Sequence, residues 1–183
     1  MKHRFATAPR SAQQGLTLVE SLISLAVVAV SLGAAAPGFQ QMQERRQLEG
    51  ASAQLATDLR HARSLAVARH APVRLSVQLS EGSSCYVVHT GSAGDCRCSG
   101  AGAAVCTAGA EALRTVGFEA GRRLRLTSSS ASMLFDPDRG TVTPTGTLHL
   151  QASSGASLRQ VVNIMGRVRA CSPGSSMPGY PAC

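Results

Sequence analysis

Two arginines separated by a single residue stand near the C-terminus, in the segment NIMGRVRAC. In an extended backbone, residues i and i+2 face the same side, so Arg167 and Arg169 project together, about 6.6–7 Å apart. This spacing suits successive phosphates of one nucleic-acid strand, and arginine binds phosphate through a planar fork of donors. Val168 then points into the fold, while Gly166 lets the backbone bend or approach a ligand. The simpler interpretation is a pair of arginines on the solvated face of a last strand, which the charge pattern alone favours.

The composition is basic and poor in aromatic side chains. Lys and Arg number 18 against 10 Asp and Glu, and every basic residue except Lys2 is an arginine. With no Trp, two Tyr and four Phe, few rings can stack on bases, so a nucleic acid would be held through its backbone. A chain of 183 residues accommodates one modest domain with an extension.

A basic segment followed by a long apolar run opens the chain. Residues 1–15 carry three basic side chains and no acid, and Leu16–Ala36 is apolar over about 21 residues, enough for a helix that crosses a bilayer. The basic flank predicts a cytoplasmic start and an exported remainder. The alternatives are a secretory signal peptide, cleaved after the small residues that end the run, and a retained membrane helix. Pro37, directly after that cleavage point, and Glu20 inside the run favour the second.

A carboxylate lies inside this apolar run. It costs about 2.5–3.5 kcal/mol at a helix centre and less near the end, so it usually has a partner. The string GLTLVE, Gly15–Glu20, resembles the processing site of type IV prepilins, although Leu16 stands where phenylalanine is usual. The resemblance implies that a prepilin peptidase cleaves between Gly15 and Leu16 and that the new amino group is methylated. Glu20 would then pair with the N-terminal amine of a neighbouring subunit in a filament.

The pattern stays helical beyond the apolar run and then changes. Gln40–Arg69 contains no proline and one glycine, Pro72 closes the helix, and Pro37 with its neighbouring glycines predicts a kink or local melting. An apolar stripe recurs at three- and four-residue steps: Leu48, Ala51, Leu55, Leu59, Ala62 and Ala66.

Six short alternating segments follow Pro72 and predict strands. They are Pro72–Leu79, Cys85–Thr90, Arg123–Ser128, Ser132–Asp136, Gly146–Ala152 and Leu158–Met165. The fold class is therefore α+β, with a long N-terminal helix, transmembrane in its first half, packed on a small antiparallel sheet or sandwich. This outline resembles the pilin fold. Asp58–Leu75, followed by short strands and FDPDRG, is similar to the FimT/GspH branch of that family.

The resemblance divides the chain into four parts. Residues 1–15 are a leader peptide, residues 16–36 a transmembrane and filament-core helix, residues 37–71 its amphipathic continuation, and residues 72–183 a periplasmic or extracellular β domain with a C-terminal disulfide loop. The expected location is the inner membrane, crossed once, with the C-terminal domain in the periplasm until the subunit enters a pilus at the cell surface.

All six cysteines fall in the exported part, where disulfides form and persist. Cys171 and Cys183 bracket a loop rich in Pro and Gly and are expected to form a bridge, which contributes about 3 kcal/mol in the chain-entropy model. Two further bridges are expected among four cysteines whose pairing the sequence leaves open: Cys85, Cys96, Cys98 and Cys106. A zinc site is the alternative, but their spacing does not match the usual C-x₂-C pairs.

The sequence gives little support for catalysis. It contains no Gly-x-Ser-x-Gly, His-Glu-x-x-His or phosphate loop, and its five histidines are scattered. Asp136–Gly140 resembles the start of a calcium loop but lacks the later ligands, so a plain turn is expected. We therefore expect neither an enzyme nor a cofactor nor a metal.

Gly166, Arg167 and Arg169 before a C-terminal disulfide loop resemble the DNA-binding GRxR motif of FimT-type minor pilins, which take part in natural transformation. The resemblance implies binding of double-stranded DNA through these three residues, with Arg159 as an unassigned helper. The modest net charge without residues 1–15 predicts that binding by one subunit is weak, and contacts to the DNA backbone predict little sequence preference. The other implied partners are major and minor pilin subunits, the prepilin peptidase and the inner-membrane assembly platform. Two alternatives remain open: a minor pilin or type II secretion pseudopilin that only assists assembly, and an unrelated exported β domain on a membrane anchor.

Overall fold

A computed structural model describes residues 17–80, 82–99, 102–107, 109–119, 121 and 123–183. The expected cleavage residues Gly15 and Leu16 lie outside this described part. The chain divides after Gln40 into two compact units, and each is treated separately below.

The helix α1 extends from Leu18 to Arg69. Its first backbone groups are capped by Thr17, whose Oγ1 accepts a hydrogen bond from the N–H of Glu20 at 3.3 Å, the N-cap arrangement that satisfies an otherwise unpaired donor. In the first unit the large apolar side chains of α1 are exposed, and this helix is long and apolar enough to cross a membrane. Of the two alternatives predicted at Pro37, a kink or local melting, the second is wrong, because α1 is helical through this residue.

In the second unit, α1 presents the predicted apolar stripe to the core. Leu48, Leu55, Leu59, Ala62 and Ala66 are fully buried, and Ala51 packs beside them. The helix ends at a Schellman turn: His70 has φ of 47°, and the Ala71 N–H donates to the Ala66 carbonyl at 3.2 Å.

The described residues after α1 form eleven strands. They are β1 (Val73–Ser80), β2 (Ser83–Thr90), β3 (Cys96–Cys98), β4 (Ala104–Cys106), β5 (Ala112–Phe118), β6 (Leu124–Ser128), β7 (Ser132–Phe135), β8 (Val142–Thr143), β9 (Gly146–Ala152), β10 (Ser157–Val162) and β11 (Val168–Cys171). They form a five-stranded sheet in the order β5-β2-β1-β7-β8, a four-stranded sheet in the order β11-β10-β9-β6, and the two-stranded sheet β3-β4. The strands that pair are antiparallel, so the α+β fold class predicted from the sequence is confirmed.

Six strands coincide with the predicted segments, and β11 contains Val168 and Arg169 of the stretch expected to be extended. Four strands were not predicted: β3, β4, β5 and β8. The missed strand β5 has only partly buried apolar side chains, so its alternation is weak, and β3, β4 and β8 are too short to show a period. The segment Leu158–Met165 was predicted too long, because β10 ends at Val162 and the chain turns at Asn163.

Polar contacts fix the helix against both large sheets. Gln160 of β10 donates its amide to the Ser52 hydroxyl at 2.8 Å, and the Tyr86 hydroxyl of β2 donates to Asp58 Oδ2 at 2.6 Å. The other oxygen of Asp58 accepts from Gln54 at 2.9 Å. Because an unpaired buried polar group is costly, these contacts select one position of the helix over the sheets.

Three disulfides link the six cysteines. They join Cys85 to Cys98, Cys96 to Cys106, and Cys171 to Cys183. The Cys85–Cys98 bridge joins β2 to β3, and the Cys96–Cys106 bridge joins β3 to β4. The Cys171–Cys183 bridge closes the C-terminal loop. Among the described residues, every member of the buried apolar core lies between Leu48 and Met177, so the unit Gln41–Cys183 contains the whole of the described core.

We expect Tyr86→Phe to lower the free energy of unfolding of the 41–183 unit by about 1–3 kcal/mol, because Asp58 loses a buried donor. Urea denaturation would measure this. Burial, and then the hydrogen bond to Asp58, raise the pKa of Tyr86 above its usual value. The contribution of the Tyr86 hydroxyl to the free energy of unfolding is therefore complete below about pH 10, and it is lost as the pH rises further. Tyr180→Phe is the control, since no described residue hydrogen-bonds its hydroxyl, and a loss there of the same size would contradict the assignment.

Candidate nucleic-acid interface

The two arginines of the GRVR segment lie on a β-hairpin. Its strands β10 and β11 are joined by a tight turn in which the Gly166 N–H donates to the Asn163 carbonyl at 2.9 Å and the Asn163 N–H to the Arg167 carbonyl at 3.2 Å. The Asn163 side chain accepts from the Arg167 N–H at 2.9 Å. Gly166 has φ of 69°, as expected for the left-handed residue that follows the turn in a three-residue hairpin loop.

Arg167 and Arg169 are exposed, and Val168 between them is buried. The alternation predicted from the sequence is therefore present, with both guanidinium groups on the outer side of the hairpin. In the described part of the chain, neither has a carboxylate within 4.0 Å. The pair is free to bind an anion without first breaking an ion pair.

Gly166 is buried against the helix and does not offer an open approach for a ligand. A Cβ atom there would lie 2.7 Å from Arg63 Cδ and 3.1 Å from the Gly140 carbonyl oxygen. The glycine therefore permits two close approaches, of the helix and of the β7–β8 turn, in addition to its positive φ.

Arg63 links three elements at this corner of the molecule, and no pattern in the sequence indicated this role. Its Nε donates to the Gly140 carbonyl at 2.9 Å, and the Val142 N–H donates to the Ile164 carbonyl at 2.8 Å. The helix, the β7–β8 turn and the β10–β11 hairpin are thus tied at one point. Arg63 is a positioning residue, and only the tertiary contacts distinguish it from the other arginines of α1.

Arg159 lies on the same outer face as Arg169. Their strands are neighbours, and Arg159 pairs with Cys171, two residues beyond Arg169. On its other side Arg159 pairs with His149 of β9. Burial lowers the pKa of His149, and the charge of Arg159 lowers it further, which favours the neutral ring on this face.

The tip of the hairpin is apolar. Ile164 and Met165 are 58% and 59% exposed, although the sequence predicted them as the end of a strand. Two large apolar side chains thus stand exposed beside two cations, which suits contact with another molecule.

The structure also describes the possible calcium loop, the possible metal ligands and Glu20. Asp136–Gly140 forms a plain turn, in which Asp136 Oδ1 accepts from the N–H groups of Asp138 and Arg139 at 3.1 and 2.8 Å. No group of three or more His, Cys, Asp or Glu side chains that could hold a metal occurs among the described residues. Glu20 is exposed in the first turn of α1.

Comparison with known proteins gives the family. Residues 51–166 match the model of the type II transport protein GspH, and residues 10–36 match the prokaryotic N-terminal methylation motif. The chain therefore belongs to the GspH family, and it is a type IV minor pilin or pseudopilin of the GspH/FimT kind. The match to GspH ends at Gly166, immediately before the two arginines. No curated protein sequence gives a significant match.

A solved structure of a minor pilin shares the fold. The Pseudomonas aeruginosa (strain PAO1) type IV minor pilin FimU, in its P21 crystal form, has a TM-score of 0.53 and 19% identity over 74% of this chain and 99% of that chain. In its P65 form the TM-score is 0.49, with 17% identity over 71% and 100% of the two chains. The first match shows the pilin fold. Association with other pilins and with the assembly machinery follows from the family.

We expect Gly166→Ala to destabilise the 41–183 unit by about 1–3 kcal/mol, because the new Cβ meets both a positive φ and the Arg63 side chain. Gly174→Ala is the matched control: its φ is 58°, but nothing lies within 4 Å of the added Cβ. Thermal unfolding of both variants would measure the difference. Equal losses would show that contact with Arg63 and Gly140 contributes nothing.

Proposed function

We propose that this minor pilin binds double-stranded DNA through the outer side of the β10–β11 hairpin and supports DNA uptake in natural transformation. The observation that carries the proposal is the pair Arg167 and Arg169, both exposed and without a carboxylate partner among the described residues. Contacts to phosphate position a protein on DNA without reading its sequence. Arg159, on the same face, adds a third cation.

The binding of one subunit is weak and depends strongly on salt. Without residues 1–15, the chain has 15 arginines against 10 acids, a modest excess. Each phosphate contact releases condensed counterions, so log K falls with log salt concentration by about 0.9 per contact. Several subunits in one filament would raise the avidity without new contacts.

The N-terminal unit supplies the means of assembly in this proposal. A prepilin peptidase removes residues 1–15, the amino group of Leu16 is methylated, and Glu20 pairs with the N-terminal amine of an adjacent subunit. Such a pair relieves the cost of a carboxylate in an apolar setting. Residues 16–36 cross the inner membrane, residues 37–71 continue the helix, and residues 72–183 face the periplasm before the subunit enters the pilus.

A second function is favoured by a separate observation. Ile164 and Met165 are large, apolar and exposed at the hairpin tip, as expected for a contact between subunits. In this alternative the protein assists assembly of a type IV pilus or of a type II secretion pseudopilus and has no role with DNA.

We expect the 41–183 unit to bind duplex DNA without sequence preference, and the double variant Arg167→Ala with Arg169→Ala to weaken that binding. The slope of log K against log salt should fall by about 1.8, since two contacts are lost. Fluorescence anisotropy with two unrelated duplexes of equal length, at several salt concentrations, would measure both quantities.

The control is the double variant Arg45→Ala with Arg46→Ala, which removes the same charge from an exposed part of α1. An equal loss in both double variants would reject the hairpin as the site. Absence of any binding by the unaltered unit at low salt would favour the assembly role.

We expect the full chain, expressed with a prepilin peptidase, to begin at Leu16 and to carry one additional methyl group. Intact-mass spectrometry would detect both changes. Gly15→Val should leave the leader attached, because a branched side chain replaces the small residue before the cleaved bond. Recovery of an unprocessed and unmethylated wild-type chain would contradict the proposed maturation.

A further inference from the structure

The outer face of the four-stranded sheet carries a diagonal row of arginines that extends well beyond the GRVR pair. Leu126, Leu150, Leu158 and Val168 point into the core, so the residues that alternate with them point outward. The outward positions of β6, β9, β10 and β11 are Arg125, Thr127, Thr147, His149, Gln151, Ser157, Arg159, Val161, Arg169 and Cys171. None of them is acidic. Ser157 and Cys171 are buried, because the C-terminal loop contacts the first and is bonded to the second.

The strand register places Arg125 in line with the other arginines. Arg125 of β6 pairs with Gln151, which pairs with Ser157 of β10, and Arg159 follows two residues later on the same strand. Neighbouring strands are about 4.8 Å apart and residues i and i+2 about 6.8 Å apart, so Arg125 and Arg159 are separated by about 12 Å.

The same geometry gives the remaining steps. Arg159 pairs with Cys171, and Arg169 lies two residues from Cys171, which separates Arg159 from Arg169 by about 8 Å. Arg167 follows at about 7 Å along the same strand direction. The four Cα atoms therefore run obliquely across the sheet for about 25 Å.

Arg125 and Arg123 differ in whether they form an ion pair. With the apolar residue between them they repeat the pattern of Arg167 and Arg169, but Arg123 lies 3.6 Å from Glu44 and forms an ion pair. Arg125 is exposed, and no carboxylate of the described residues lies within 4.0 Å of it.

From this row we infer that Arg125 is the far end of one continuous phosphate-binding track, Arg125–Arg159–Arg169–Arg167, which follows the backbone of a single strand of a DNA duplex. The inference rests on the proposed function and specifies its footprint: the oblique sheet face is the ligand surface, and the hairpin is one end of it. A face whose strand positions carry spaced arginines and no acidic side chain suits a regular polyanion, because each guanidinium can bind one phosphate.

The test compares three single variants of the 41–183 unit by salt-dependent anisotropy with a duplex of random sequence. The unaltered unit should have a slope of about −3.6, from four contacts of about 0.9 each. Arg125→Gln should reduce its magnitude to about 2.7 and weaken binding several-fold at low salt. Gln151→Glu, which places a carboxylate beside Arg125 without changing side-chain size, should produce the same change.

Arg97→Gln is the control, because Arg97 is exposed on the separate two-stranded sheet, and the three variants lose equal charge. If Arg125→Gln and Arg97→Gln change the DNA affinity and the salt slope equally, while the Arg167 and Arg169 double variant loses binding, the proposed track is overturned and the proposed function stands. If the unaltered unit does not bind DNA, the proposed function itself fails. An Arg125→Gln variant that binds DNA normally but loses association with other pilin subunits would assign the face to a protein partner. Circular dichroism would confirm that each variant is folded.

Discussion

The second half of α1 must bury one apolar face, and the rest of the fold is arranged around that requirement. Leu48, Leu55 and Leu59 are completely buried, and burial of each such side chain contributes about 1.5–3 kcal/mol. Both large sheets supply the opposing surface. The apolar stripe alone would tolerate small shifts of the helix, since hydrophobic contact has no direction. Directional contacts from Ser52, Asp58 and Arg63 remove that freedom.

These three contacts reach different parts of the chain. Ser52 binds Gln160 of β10, Asp58 binds Tyr86 of β2, and Arg63 binds the carbonyl of Gly140 in the β7–β8 turn. The helix therefore contacts the β10–β11 hairpin at two points, through Ser52 at strand β10 and through Arg63 at the turn. The arginine side chains stay flexible, but the backbone that carries them is held in place, which reduces the entropy lost on binding.

The electrostatic character of the molecule is local. Several acids are neutralised away from the outer face of the four-stranded sheet: Asp58 by Arg114, Glu44 by Arg123 and Glu111 by Arg69. The formal net charge of +8 is therefore a poorer guide to anion binding than the position of the charges. Arginines occupy the outer face of the four-stranded sheet, and its strands place no acidic side chain there. The pilin fold, shared with FimU, provides the frame, while this charge distribution belongs to the residues placed on it.

The sequence alone determined the features that depend on neighbours along the chain. The apolar run, the helical stripe of α1 and the inward position of Val168 follow from periodicities of 3.6 and 2, which any backbone of these types must obey. The GLTLVE string was enough to predict the prepilin class, which the family comparison confirms. Contacts between distant segments were decided only by the tertiary structure. The pairing of four cysteines, the clamp of Arg63 on Gly140 and Gly166, and the alignment of Arg125 with Arg159 depend on strand register, and register is set by the common burial of both sheets on one helix.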